Sequence, residues 1–199
     1  MLKKVLLLCI ITVALFAKTS TIKDIYLKSY NYEKMGKYDE AIKVLTPIYE
    51  KYPKGYTLNL RLGYLFLLSK HYTNAINYYK KASIIAPSSL EPRLALTRIN
   101  LILEQYEDAQ TLAFNILKID YYNFYGNLYA SSALIAQKKY NTALLITNKM
   151  LTLNPTSVIY LQQLARIYKL TKNKYLNDIY NSIKILDPNN IYVNSQLKQ

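Results

Sequence analysis

Length and composition indicate an ordered chain with enough apolar material for a continuous core. The chain has 199 residues, of which 51% are apolar and 19% are charged, with only four glycines and six prolines. This composition excludes a disordered chain and long flexible linkers. The formal net charge of +14 favours an anionic partner, which could be an acidic protein face, an anionic glycan or a membrane surface. The alternative is a basic surface that is merely solvated.

The N-terminal residues have the pattern of an export signal. Lys3 and Lys4 precede an unbroken apolar run over residues 5–16. In a helix this run would cover about 18 Å, well short of the roughly 30 Å hydrocarbon core of a bilayer. We therefore predict a signal peptide over residues 1–17 and a periplasmic location, with anchoring through an uncleaved signal as the alternative. Cys9 is the single cysteine and lies in this run, so the mature chain would have no thiol.

A period of 34 residues organises the rest of the chain. Tyrosines recur at this spacing, an alanine follows each of them after three residues, and a closing residue, usually proline, ends each unit. These residues are Tyr38, Tyr72, Tyr106 and Tyr140; Ala41, Ala75, Ala109 and Ala143; and Pro53, Pro87, Tyr121 and Pro155. A fixed period of this length indicates stacked structural repeats, each of which contacts mainly its neighbours.

Each repeat is predicted to contain two helices. In chain order the pairs are residues 21–35 with 38–52, 56–69 with 72–85, 90–103 with 106–119, and 124–137 with 140–153. Apolar residues at a spacing of four, such as Leu58, Leu62 and Phe66, support helix, and proline ends the second helices. A degraded fifth copy follows, and residues 189–199 are predicted to form a capping helix and tail. The predicted repeat boundaries are 21–55, 56–89, 90–123, 124–156 and 157–188.

The repeat resembles the tetratricopeptide-repeat (TPR) family over residues 21–188. The second repeat matches the family pattern with Gly63, Tyr72, Ala75, Tyr79, Ala82 and Pro87. The resemblance implies an all-α fold, a right-handed α-solenoid of about five TPR helix pairs with a partial C-terminal capping helix. It also implies that the alanines lie buried where helices cross. The family's tryptophan is replaced by Ile25, Asn59, Arg93 and Asn127, so looser packing of the first helices is expected.

No cluster of residues suited to catalysis is recognisable. His71 is the sole histidine and falls in a turn between helices, and the twelve carboxylates are scattered. The chain has no glycine-rich phosphate loop and no nucleophile elbow. It also has no recognisable nucleic-acid motif, so nucleic acid is not expected as a partner. We therefore expect a protein that is not an enzyme and that has neither a cofactor nor a metal site.

The resemblance implies that the first helices line a concave groove. Transferring the inner face of the family to this sequence gives Tyr26, Tyr30, Leu60, Arg61, Tyr64, Leu67, Leu94, Arg98, Leu101, Tyr125, Leu128, Tyr129, Ile135, Leu161 and Tyr168. We expect Tyr64, Arg98 and Tyr129 to face one channel and Arg61 and Arg98 to attract an acidic ligand. The lysines and asparagines with which chaperone-binding members hold a terminal carboxylate are absent, so that mode of binding is not expected. The alternative is that some of these side chains pack between repeats.

These features lead to one expected function and its alternatives. The expected function is a non-enzymatic periplasmic TPR scaffold that takes part in assembly of an envelope complex. Its partner would be a helix or an extended segment of a protein bound in the aromatic and apolar groove. One alternative is a glycan-handling TPR module of an exopolysaccharide export system. Another is that the chain is the repeat portion of a larger outer-membrane protein. The sequence does not identify the partner.

Overall fold

The computed structural model describes residues 21–196, and every regular element within that range is a helix. The helices are α1 (Ile22–Lys34), α2 (Tyr38–Lys43), α3 (Thr46–Lys51), α4 (Tyr56–Leu68), α5 (Tyr72–Ile85), α6 (Glu91–Ile102), α7 (Tyr106–Leu117), α8 (Phe124–Ala136), α9 (Tyr140–Leu153), α10 (Val158–Leu170), α11 (Leu176–Leu186) and α12 (Ile191–Gln196). Within this range no helix has the length and apolar character needed to cross a bilayer. The predicted signal peptide, residues 1–17, lies outside the described residues.

The helices stack in chain order, and from α4 onward each helix packs against the next along the chain. From the third repeat to the fifth, the first helices also contact one another, as α6 contacts α8 and α8 contacts α10, whereas the second helices of these repeats are less closely packed. A stack that is tighter along one layer curves toward that layer, so the first helices line the concave face. This arrangement confirms the predicted all-α solenoid of five helix pairs with a capping helix.

The second helix of the first repeat is interrupted, which corrects the prediction of one helix over residues 38–52. α2 ends at Lys43, and α3 begins at Thr46 with a proline in its first turn. Pro47 has no N–H to bond the carbonyl of Lys43, and its ring crowds that carbonyl. The backbone tightens instead, and Leu45 N donates to Ile42 O at 2.9 Å. If the broken helix is counted as one, residues 21–196 contain the eleven helices that were expected.

The turn within every pair closes through a residue in the left-handed conformation. Five residues spaced by 34 have φ between 54° and 71°: Gly36, Lys70, Glu104, Lys138 and Lys172. Each is followed by a backbone N–H that donates back to the last turn of the first helix, as His71 N does to Phe66 O at 2.9 Å. These bonds satisfy carbonyl groups that the end of a helix leaves free. Only the first of the five turns has the glycine that this conformation favours.

The alanines of the repeat lie at the helix crossings, as the pattern predicts. Ala75, Ala109 and Ala143 are each fully buried, because a methyl group lets two helices approach closely. Gly63 serves the same purpose on α4: a Cβ atom at this position would lie 3.0 Å from the ring of Tyr79. The contact is tighter than ordinary van der Waals distance, so the glycine allows the Tyr79 ring to lie flat against α4.

Two of the four residues at the position of the family's tryptophan, Asn59 and Asn127, bind the backbone of the preceding loop. The amide of Asn59 donates to Pro53 O and Gly55 O, both at 2.9 Å. Asn127, two repeats later, makes the equivalent two bonds, to Tyr121 O at 3.0 Å and Asn123 O at 2.9 Å. Both asparagines are fully buried. The packing at these positions is therefore not loose, because two hydrogen bonds hold each first helix to the loop before it.

The C-terminal helix covers the end of the stack. Val193 of α12 is fully buried and packs with Leu161, Ala165, Tyr180 and Ile183 of the fifth pair. A solenoid needs such a cover because its last repeat would otherwise expose an apolar face.

Candidate functional site

Two adjoining cavities form a channel on the concave face. One, of about 380 Å³, is lined by Leu60, Tyr64, Leu67, Tyr79, Glu91, Leu94, Ala95, Arg98, Tyr125 and Tyr129. The other, of about 370 Å³, is lined by Tyr30, Tyr56, Thr57, Leu60, Arg61, Tyr64 and Glu91. They share Leu60, Tyr64 and Glu91, so we treat them as one concave channel. Its first-helix walls come from α1, α4, α6 and α8, and α5 adds Tyr79.

The helical period places the lining side chains. Residues four apart lie on the same face of a helix, and three of the four first helices use such a pair: Leu60 with Tyr64 on α4, Leu94 with Arg98 on α6, and Tyr125 with Tyr129 on α8. Ala95 occupies the repeat position that Arg61 and Tyr129 occupy in the neighbouring repeats. The small side chain of Ala95 leaves space in the cavity of about 380 Å³ that it lines.

Arg98 is the available cation of the channel. Its side chain is exposed, and within residues 21–196 it forms no ion pair, since the single ion pair there joins Arg61 and Glu33. The guanidinium acts on the surrounding phenols, because its charge opposes the rise that burial causes in the pKa of Tyr129 and of Tyr79. Glu91 lines the same cavity, but it forms no ion pair with Arg98, so the guanidinium is available to a carboxylate or another anionic group of a ligand.

The tyrosines supply apolar faces with a polar tip. Tyr64 and Tyr125 are 38% and 51% exposed, although both lie on the inner layer. The rings of Tyr125 and Tyr129 lie 5.9 Å apart. Burial, followed by Glu33, raises the pKa of Tyr64 above its ordinary value. The hydroxyl group of Tyr64 is therefore neutral at physiological pH and can donate or accept a hydrogen bond.

The surroundings of Arg61 do not fit the expectation that it attracts an acidic ligand. Its side chain is 7% exposed, and its guanidinium is ion-paired with Glu33 and donates to Ser29 Oγ at 3.1 Å. The same group lies 3.9 Å from the centre of the Tyr30 ring. Arg61 therefore joins the first repeat to the second, and its charge is already neutralised.

The structure brings together nine of the residues proposed from the sequence and separates the others. The nine that line the concave channel are Tyr30, Leu60, Arg61, Tyr64, Leu67, Leu94, Arg98, Tyr125 and Tyr129. Tyr26, Leu161 and Ile135 pack against core clusters instead. Leu101, Leu128 and Tyr168 are half-buried and line neither cavity. Tyr26, Leu161 and Ile135 therefore occupy the position that the alternative of packing within the stack describes.

Sequence reasoning missed five lining residues. Tyr79 was identified only as a match to the family pattern, and its second-helix position gave no sign that its side chain reaches the channel. Tyr56, Thr57, Glu91 and Ala95 lie at the start of first helices or on their inner face. The 34-residue spacing could have found Thr57 and Glu91, because they lie two repeats and one repeat before Tyr125. Among the described residues no group of three or more His, Cys, Asp or Glu could hold a metal ion.

Comparisons with known proteins identify the fold and no closer relationship. No protein-family model matches the chain, and no curated protein matches it by sequence. Among solved structures, MamA 41-end from Desulfovibrio magneticus RS-1 has a TM-score of 0.73 and 14% identity, over 85% of this chain and 96% of that one. A tetratricopeptide repeat protein from Parabacteroides merdae has a TM-score of 0.75 and 19% identity, over 86% of this chain and 68% of that one.

A third similar structure carries a functional description of its own. YrrB, described as a TPR protein with an unusual peptide-binding site, has a TM-score of 0.66 and 12% identity, over 94% of this chain and 97% of that one. Identities this low speak to the fold alone. Together with the 34-residue helix pairs, these similarities show that the chain has the tetratricopeptide-repeat fold.

Proposed function

We propose that this protein is a non-enzymatic scaffold whose concave channel binds a segment of a protein partner. The observation that carries the proposal is that Tyr64, Arg98 and Tyr129, from three successive repeats, line one cavity. Tyrosine and arginine are the side chains that most often dominate binding energy at protein interfaces. The peptide-binding site of YrrB supports the same use of this fold.

The setting that we propose is the periplasm, where the protein would help to assemble an envelope complex. This part of the proposal depends on the charged and apolar pattern of residues 1–17. The glycan alternative depends on the same channel, because exposed tyrosine faces also stack on sugar rings. The two ligands differ in what displaces them, so one experiment separates them.

The test compares two double variants of the full chain. Partners crosslinked in cells to the wild-type protein are identified, purified and titrated against Tyr64→Ala/Tyr129→Ala and against Tyr52→Ala/Tyr175→Ala. The second pair removes two tyrosines that are 43% and 52% exposed and lie outside the channel. We expect the first pair to weaken binding by about 30-fold, which corresponds to about 2 kcal/mol, with unchanged helicity by circular dichroism. The control pair should bind as the wild type does.

Two results would contradict the proposal that a protein partner binds in the concave channel. Equal binding by both double variants would exclude the concave channel as the site. Displacement of the bound partner by free acidic oligosaccharide, but not by an apolar helical peptide, would support the glycan alternative instead.

A further inference from the structure

A second apolar groove lies on the outer layer, between the second helices of the third and fourth repeats. It has a volume of about 900 Å³ and is lined by Phe114, Leu117, Lys118, Tyr121, Thr142, Leu145, Ile146 and Lys149. We call it the outer groove. It exists because α7 and α9 are less closely packed than the first helices beside them. Leu145 on its wall is 72% exposed, and together with Phe114, Leu117 and Ile146 it forms a continuous apolar surface, which is more informative than a single exposed leucine.

The charge at the outer groove is positive. Lys149 Nζ lies 3.7 Å from the centre of the Tyr121 ring and donates to Tyr121 O at 3.1 Å. Burial lowers the pKa of Lys149, because the ammonium loses water that an incoming carboxylate could replace. Lys118 lies on the opposite wall, and no residue that lines the groove is acidic. An apolar channel with lysines on both sides is complementary to an apolar segment flanked by acidic residues.

The same construction recurs two repeats earlier. A groove of about 560 Å³ between α3 and α5 is lined by Tyr49, Pro53, Lys54, Lys81, Ile84 and Ile85. Lys81 occupies the position of Lys149, 68 residues earlier, and its Nζ donates to the Tyr49 hydroxyl at 2.7 Å. No acidic residue lines this groove either. A lysine that lies against tyrosine beside an apolar groove is therefore a repeated feature of the outer layer.

We propose that the outer groove binds an acidic amphipathic helix of a second protein partner. A groove between two helices accepts the apolar ridge of a third helix, as in other helix-in-groove complexes, and acidic residues beside that ridge would pair with Lys118 and Lys149. A flat lipid surface fits less well, because Phe114, Leu117 and Ile146 are half-buried in the walls of the groove. The proposal is independent of the concave channel and would make the protein a two-sided scaffold.

The experiment uses the full chain and three labelled synthetic peptides of about 18 residues, or five helical turns. The first has a leucine face flanked by glutamates. The second has the same leucines with lysine in place of every glutamate, and the third is the acidic peptide with a central proline that breaks the helix. Fluorescence anisotropy gives the dissociation constants at low and moderate salt. We expect the acidic helix to bind tightest and to weaken as salt rises.

Variants of the chain locate the binding site. Leu145→Ser/Lys149→Glu should weaken the acidic peptide by about 10-fold or more, as loss of a central apolar contact together with a charge reversal predicts. Leu145→Asp is a second variant that should disturb folding less, because it changes one side chain that is largely exposed. Thermal melts check that both variants fold. Lys184→Glu makes the same charge reversal on α11, outside the groove, and should change binding by about 2-fold or less.

Several results would overturn the proposal. One is equal binding of the acidic and lysine peptides, and another is an equal loss of binding in Lys184→Glu, which would indicate unspecific charge attraction. Loss of acidic-peptide binding in Tyr64→Ala/Tyr129→Ala alone would place the peptide in the concave channel. Binding to vesicles of anionic phospholipid that depends on Leu145 and Lys149, without binding to the acidic peptide, would assign the surface to a membrane.

Discussion

Four of the five turns within helix pairs place a lysine or glutamate where glycine is favoured. Lys70, Glu104, Lys138 and Lys172 all have positive φ, and in an L-residue this conformation brings Cβ close to the following carbonyl oxygen. The cost is of the order of 1 kcal/mol per residue. The turns persist because this conformation lets the backbone form the bonds that close them, such as the bond from Lys139 N to Leu134 O at 2.9 Å.

Replacing one of these residues with glycine should therefore stabilise the protein. We expect Lys138→Gly to raise the free energy of unfolding by about 0.5–1 kcal/mol, because relief of the strain exceeds the added entropy of glycine in the unfolded chain. Lys138→Ala is the matched control, since it removes the same exposed side chain and keeps the strain. Urea titrations of both variants measure the difference. A stability gain for alanine equal to that for glycine would mean that the lysine side chain, and not its backbone, is unfavourable.

The residue types in the sequence predicted the structural role of some side chains and missed the role of others. The alanine spacing predicted the helix crossings because only a small side chain fits there. Asn59 and Asn127 were expected to loosen their helices, since a missing tryptophan is visible in the sequence and a hydrogen bond to a carbonyl six residues earlier is not. The burial of Arg61 could not be predicted either, because its partner Glu33 lies in the preceding repeat. Arg61 nevertheless lines the concave channel.

At the scale of the helices, the crossings tolerate little extra volume. Ala109 on α7 is fully buried between helices, and a larger side chain must displace its neighbours. We expect Ala109→Leu to lower the free energy of unfolding by about 1–3 kcal/mol and to reduce the melting temperature. Thr111→Leu, on an exposed face of the same helix, is the control and should have a much smaller effect. An unchanged melt for Ala109→Leu would show that α7 is rotated from the position described.

Helix boundaries depend on local chemistry that the repeat pattern hides. The 34-residue period predicted one second helix in the first repeat, and Pro47 was visible within it. The period was the stronger signal, yet a proline in the middle of a helix removes a backbone bond regardless of the repeat. The concave channel shows the converse. The inner face of the family's first helices placed Tyr64, Arg98 and Tyr129 together, and it did not show that Tyr79 of a second helix reaches the same cavity.

At the scale of the whole molecule, buried phenols make the fold sensitive to alkali. Burial raises the pKa of Tyr79 and Tyr160, and burial together with Tyr180 raises the pKa of Tyr192 to about 12. A phenol in the unfolded chain titrates at about pH 10. The folded state therefore holds these protons more strongly than the unfolded state does. The contribution to stability is complete below about pH 10 and is lost as pH rises through the folded values.

Urea titrations across the alkaline range test this dependence. The midpoint should be nearly constant from about pH 8 to pH 9.5 with respect to these groups and should fall steeply above about pH 10. Absorbance at the phenolate band should show that part of the tyrosine titrates only with unfolding. Tyr192→Phe should reduce the slope, because one raised pKa is removed. A slope that is the same in this variant would mean that Tyr192 ionises without cost in the folded protein.

The concave channel draws its walls from four successive repeats, so that repeats that are not neighbours in the stack line one site. In a solenoid, stability passes from each repeat to the next, so one segment can open while a distant one stays folded. A ligand held by Tyr64, Arg98 and Tyr129 would bridge the second, third and fourth repeats directly. At about 100 times its dissociation constant it would add about 2.7 kcal/mol against any opening that breaks the channel. Occupancy would then join three semi-independent repeats into one cooperative unit, and the partner would become part of what keeps the middle of the chain folded.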